Sequence, residues 1–236
     1  MKKHYSLKLN IGLFLLLAIL LVPMAATFAQ SHLLNVSTDL YSRYVWRGFD
    51  FGDSPSIQPS MAFTSGNFEI GVWGAFATNA HGNNPAYRET DLNVAYSIPL
   101  NTGSLSLGIT DYFFPTPTTD YFLFNDNHVY EANIGITFAK SFPLSISGNI
   151  NFAGKQDPQG STYIELDYPV STATLTFGFI PMKSDYYGLS KAGVVNVGIS
   201  DTKDIQITDK FSLPLHGSLL VNPYTKKIYF LAGVSF

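Results

Sequence analysis

Two arginines four residues apart, Arg43 and Arg47 in LYSRYVWRGFD, stand among Tyr41, Tyr44, Trp46 and Phe49. A guanidinium in such company could serve a nucleic-acid patch, an enzyme site, or a paired charge on an inner wall. Carboxylates that could pair with them lie far along the chain: Glu69, Glu89, Asp91, Glu131, Glu165 and Asp167. Near the end, PLHGSLL sets His216 and Ser218 two residues apart, the pair of types that an activated serine nucleophile needs. A spacing of four puts Arg43 and Arg47 on one face of a helix or one face of a strand. The surrounding pattern has to decide which.

The pattern is alternation with period two, which reads as half-buried strands. From Leu34 the even positions run Leu34, Val36, Thr38, Leu40, Ser42, Tyr44 and Trp46, and the odd ones carry Asp39, Arg43 and Arg47. The expectation is one strand, with Asp39, Arg43 and Arg47 facing in and Tyr44 and Trp46 facing out. NFEIGVWGAF, RETDLNVAYSI, SLSLGI, VYEANIGITF, LSISGNINF, YIELDY and ATLTFGF alternate in the same way. Each opposes an apolar row to serine, threonine, asparagine or acidic residues. Between them, short connections such as TSGN, PLNTG and SDTKD alternate with longer ones such as FATNAHGNNPAY and IPMKSDYYGLSKA. That alternation of turn length predicts an all-β, antiparallel up-and-down transmembrane β-barrel of about twelve strands, with ten to fourteen allowed. Residues 200–215 are the hardest to place, because Pro214 interrupts a strand-like run. A soluble β-sandwich would also alternate. Its outer face would carry more charge than the 13% charged residues supply here.

Composition narrows the function classes. A net charge of −3 argues against general nucleic-acid binding, and the absence of cysteine removes disulfides and thiolate metal sites. MKKHYSLKLN, then IGLFLLLAILLV, then PMAATFA reads as the basic, apolar and small-residue parts of a secretory signal peptide. We expect residues 1–29 to be removed between Ala29 and Gln30, leaving a barrel domain over 30–236. At the other end, Ile228, Phe230, Ala232, Val234 and Phe236 form an apolar row ending on an aromatic residue. It resembles the signal read by the machinery that assembles outer-membrane barrels.

NVSTDLYSRYVWRGFDFGDSPSIQPSMAF followed by GNFEIGVWGAF resembles a known family. The S-x-Y-V-x-R-G run, the P-x-I-Q step and the G-V-W-G strand are similar to the TorF-like porins, conserved uncharacterised bacterial outer-membrane proteins. Arg43 stands where an aspartate is usual in that pattern. The resemblance covers about the first third of the mature chain and implies an outer-membrane channel without specifying a solute.

By strand parity the lumen would carry Asp39, Arg43, Arg47, Glu69, Glu89, Asp91, Glu131, Glu165 and Asp167, seven carboxylates against two arginines. Buried charges need partners, so the arginines are expected to meet carboxylates of other strands, such as Glu69 or Glu131. An acidic wall favours cations, and small solutes would be the partners inside, lipid outside. The same charges could instead brace a narrow, non-conducting barrel. His216 falls on the lumen side without a third orienting group, so no enzyme, cofactor or metal is expected. His81, Asn83, Asn84, Asp126 and His128 match no ligand spacing. Asp111 falls on the lipid side, which implies that its strand ends or bulges there. Tyr112, Phe113, Phe114, Tyr121, Phe122, Tyr186 and Tyr187 suit an aromatic girdle, or an aromatic ligand site in the loops.

Overall fold

The computed structural model describes residues 32–80, 85–116, 118–119, 121–123, 127–138 and 142–236. The residues expected to form a signal peptide and its cleavage point, Ala29 and Gln30, lie outside the described residues, as do His81, Asn83, Asn84 and Asp126.

Twelve strands form one closed antiparallel barrel. They are β1 (His32–Tyr41), β4 (Ser56–Ser65), β5 (Phe68–Ala77), β6 (Arg88–Leu100), β7 (Gly103–Phe113) and β8 (His128–Phe138). The second half comprises β9 (Ser145–Ala153), β10 (Thr162–Val170), β11 (Ala173–Ile180), β12 (Gly193–Thr208), β13 (Phe211–Asn222) and β14 (Lys227–Ser235). Two short strands, β2 (Tyr44–Trp46) and β3 (Phe49–Phe51), pair only with each other. Each barrel strand pairs with its sequence neighbour in the barrel, and β1 closes the ring on β14. Closure satisfies the backbone amides that a free edge would leave open.

The alternation that builds the strands also sorts their side chains. Val36 and Phe230 are 70% and 76% exposed on the exterior, whereas Glu131 is 1% exposed inside. An apolar exterior around a polar interior reverses the pattern of a water-soluble barrel. Two-residue turns join β4 to β5, β6 to β7, β10 to β11 and β12 to β13 at one end. At the other end, the β5–β6, β7–β8, β9–β10 and β11–β12 connections are longer. Pro214 does not break β13. It pairs opposite Asp204, close to where β14 stops, so its missing N–H falls near the end of the ladder.

The expected single strand over Leu34–Arg47 is corrected. β1 ends at Tyr41, and the chain then turns into the barrel as the β2–β3 hairpin. The hairpin touches the wall on every side: Tyr44 packs on Trp73 of β5, Trp46 on Tyr112 of β7, and Arg47 on Tyr163 of β10. Asn222 at the end of β13 donates from Nδ2 to the Gly48 carbonyl at 3.0 Å. Tyr44 and Trp46 are therefore lumenal, not lipid-facing. A hydrophobic cluster of Tyr163, Ile180, Tyr187, Leu189 and Val195, from β10 to β12, packs against Trp46 and Phe49 on one side of the hairpin.

Gly48 makes this seating possible. It has φ +81°, and a Cβ there would overlap the Val195 carbonyl oxygen of β12. Gly48→Ala is expected to unseat the tip, at a cost on the order of 1–3 kcal/mol from backbone strain alone. Gly217→Ala, with open space around its Cβ position, should leave stability unchanged. The temperature at which each folded barrel converts to the unfolded form in detergent gel shift measures this.

Candidate functional site in the lumen

The hairpin turn is Arg47–Gly48, between the paired residues Trp46 and Phe49. Both turn residues have positive φ, 52° and 81°. That is the geometry two-residue hairpin loops require, and Asn-Gly is its usual sequence. An arginine in the left-handed region is uncommon. The surroundings of its side chain compensate. Nη1 and Nη2 donate to Glu131 Oε2 and Oε1 of β8 at 2.6 and 3.0 Å, and Nη1 also donates to the Tyr187 hydroxyl at 2.7 Å. The guanidinium lies over the Trp46 ring at 4.2 Å and over the Tyr163 ring at 4.5 Å. Glu131 Oε1 also accepts from Tyr112 Oη at 2.8 Å and Asn133 Nδ2 at 2.7 Å. A bidentate pair with further hydrogen bonds to both partners can withstand burial.

The other expected lumen charges do not join this cluster. Arg43 pairs with Asp50 and Asp53 of its own hairpin segment, not with Glu69 or Glu131. This group borders a cavity of about 560 Å³ at the mouth, with Tyr87 and Tyr229. Glu89 accepts from Tyr87 Oη at 2.8 Å. Asp91 is buried, and its Oδ1 has no hydrogen-bond partner among the described residues. Glu69, Glu165, Asp167 and Asp39 accept from neutral donors: Thr64, Tyr163 and Asn196, Thr176, and Ser235. On the short-turn side of the hairpin a chamber of about 360 Å³ lies between Trp46 and Arg47 above and Glu165 and Asn196 on the wall.

His216 bonds to Thr202 Oγ1 at 2.9 Å and Ser235 Oγ at 2.6 Å, and Ser235 donates on to Asp39. Ser218 is not among these partners. Asp111 neither ends nor bulges its strand. It meets the buried His128 at 2.7 Å on the outer wall, where Tyr121 covers the pair, its carbonyl 3.0 Å from His128 Nε2. The expected aromatic girdle divides: Phe113 and Tyr121 stay with that outer cluster, whereas Tyr112 and Tyr187 turn in toward Arg47. Ile228, Phe230 and Phe236 of the final row are exposed. Among the described residues no three His, Asp or Glu side chains group as metal ligands.

Parity located Glu131 and Glu165 on the inner wall but could not locate the hairpin. Tyr163, Asn196 and Asn222 had no signal of their own. The one available clue was Arg47–Gly48 itself, a glycine turn flanked by two large aromatics.

Tyr187 lies in the β11–β12 loop, and its hydroxyl is pushed up to about 12 from 10.0 by burial, with the Arg47 charge pulling it partly back. A raised folded value means that the folded protein holds the proton more tightly. The stability this confers is complete below pH 10 and is lost as the pH climbs toward 12. The urea midpoint in detergent should fall over that interval. Tyr187→Phe should make the fall shallower, and an equal slope in both proteins counts against the assignment.

The family model described as "Bacterial protein of unknown function (Gcw_chp)" matches residues 25–182. The match runs through β11 and so takes in Arg47, Glu131 and Glu165. No curated protein matches the chain. That description is broader than the expected likeness to TorF-like porins and names no porin. With most of its length matched, the chain belongs to the Gcw_chp family of bacterial proteins of unknown function.

Proposed function

We propose that this protein is a porin-like channel of the bacterial outer membrane, constricted at its loop end by the β2–β3 hairpin. The observation that carries the reading is a polar lumen inside an apolar closed barrel, with a two-stranded insert held across it by one ion pair. A purely structural barrel could fill its interior with wall side chains, as small barrels do. An insert anchored through Arg47 and Glu131 can leave as a unit, because the hairpin is joined to β1 and β4 only through residues 42–43 and 52–55. The resemblance of its first third to TorF-like porins supports the same class.

In this reading the signal peptide delivers the chain through the inner membrane, and the row ending at Phe236 addresses it to barrel assembly. Lipid surrounds the exterior and small solutes diffuse passively through the interior, with no catalytic step and no cofactor. Preference falls to cations, because Asp39, Glu69, Glu165 and Asp167 accept from hydroxyl and amide donors rather than from lysine or arginine. A second reading, a non-conducting structural barrel, is favoured by the packing of Tyr163, Ile180, Leu189 and Val195 against one side of the hairpin.

Planar-bilayer recording separates the two. The native protein should open rarely and in small steps. Arg47→Ala, which strands Glu131 at a cost of about 3–5 kcal/mol, should give larger or longer openings, as should replacement of Tyr44–Phe51 by a short glycine linker. Silence from all three proteins establishes the structural reading instead. In a KCl gradient the reversal potential should mark a cation-preferring pore, and an anion-preferring sign defeats the charge argument.

A further inference from the structure

The chamber beneath the hairpin has a composition of its own. Its roof is Trp46 and Arg47, and its wall includes Asn149, Glu165, Thr176 and Asn196. Arg47 brings no free charge to it, because Glu131 takes the guanidinium in a bidentate pair. Glu165 accepts from Tyr163 Oη and from Asn196 Nδ2 at 3.1 Å, and neither donor is charged. One rung further along β10, Asp167 also faces inward and accepts from Thr176 Oγ1 at 2.6 Å, across the register pair that joins β10 to β11. Neither carboxylate meets a cationic side chain among the described residues. Asn196 is only 6% exposed, and its Oδ1 has no hydrogen-bond partner among those residues.

Two carboxylates with only neutral partners, Glu165 in the lining and Asp167 just beyond it, an unused amide oxygen and a half-open polar chamber call for a positively charged hydrogen-bond donor. An anion would be repelled, and a neutral sugar would leave both charges unanswered. A metal ion needs several oxygen ligands converging at about 2.0–2.6 Å, and no such group of acidic or histidine side chains exists among the described residues. Successive inward residues of a strand are about 7 Å apart, a span that a short aliphatic chain bridges. The volume of about 360 Å³ admits a small molecule and little more.

We propose that this chamber, with the stretch of β10 wall just below it, is a binding site for a short aliphatic diammonium ion, one ammonium on Glu165 and Asn196 in the chamber and the other on Asp167 one rung beyond its lining. The assignment rests on the channel reading for its biological sense, since it names the class of solute handled below the constriction. Its physical content is independent of conduction. An occupant of the chamber would sit directly under Trp46 and Arg47, on the route between the constriction and the short-turn mouth.

Calorimetric titration of the refolded full chain in detergent micelles, at constant ionic strength, tests the site with 1,4-diaminobutane as probe. Saturable one-to-one binding is expected in the native protein. Glu165→Gln and Asp167→Asn, both close in shape to the originals, should each weaken it at least tenfold while the gel-shift temperature confirms the fold. 1-Aminobutane should bind at least tenfold more weakly than the diamine. No binding to the native barrel, unchanged affinity in both variants, or displacement by an equal concentration of magnesium chloride would overturn the proposal. Failure here with normal conductance removes the site and leaves the channel. Binding by a barrel that never conducts removes the channel and leaves the site.

Discussion

One buried ion pair organises the inside of this barrel. Arg47 reaches Glu131 through both ends of its guanidinium, while Trp46 and Tyr163 cover its faces. Taking either charge out of water alone would be prohibitive, so the pair exists only when hairpin and wall are both in place. Its neighbours follow from it. Tyr112 and Asn133 complete the carboxylate, and Tyr187 accepts a third guanidinium N–H. The left-handed backbone at Arg47 and the glycine after it hold the side chain at the hairpin tip, where it can reach β8.

The architecture was largely legible in the residues. Strand parity in segments such as VYEANIGITF placed Glu131 inside and Ile134 outside, and alternating turn lengths gave twelve strands in up-and-down order. Parity is reliable there because an apolar exterior and a polar lumen impose opposite demands on successive residues. It failed at Tyr44–Phe51 for the same reason it succeeded elsewhere. The hairpin strands alternate too, but both of their faces meet protein, so apolar no longer means outward. Tyr44 and Trp46 look like outward-facing residues because a packed interior and the apolar exterior select for the same side chains.

Asp111 illustrates the complementary failure. A carboxylate on the lipid side looks like the end of a strand when only its own strand is read. Its partner His128 lies on the next strand and Tyr121 on the loop between them, so the compensation is non-local. The same holds for the carboxylates of β10, whose neutral partners Tyr163, Thr176 and Asn196 come from three strands. Which charges are neutralised and which remain free determines the character of the lumen. That distinction depends on register, which parity along one strand does not supply.

The hairpin also bears on the order in which the chain can assemble. Arg47 lies 84 residues before Glu131 and 140 before Tyr187, and Gly48 lies 174 before Asn222. An element made near the beginning thus has its anchors spread almost to the end. Until β12 and β13 have joined the sheet, the tip has no carbonyl groove to enter and no amide to hold it, and a nascent barrel would carry an unpaired arginine among unfilled aromatic faces. Such contacts are slow to form because so much chain must be ordered before they return any stabilisation. Seating of the hairpin therefore reports on completion of the ring: a barrel closed with a strand missing or a register slipped would displace Glu131, Val195 or Asn222 and leave the tip undocked. The insert acts as an internal gauge of correct closure, set by residues 44–51 and read only when the last strands arrive.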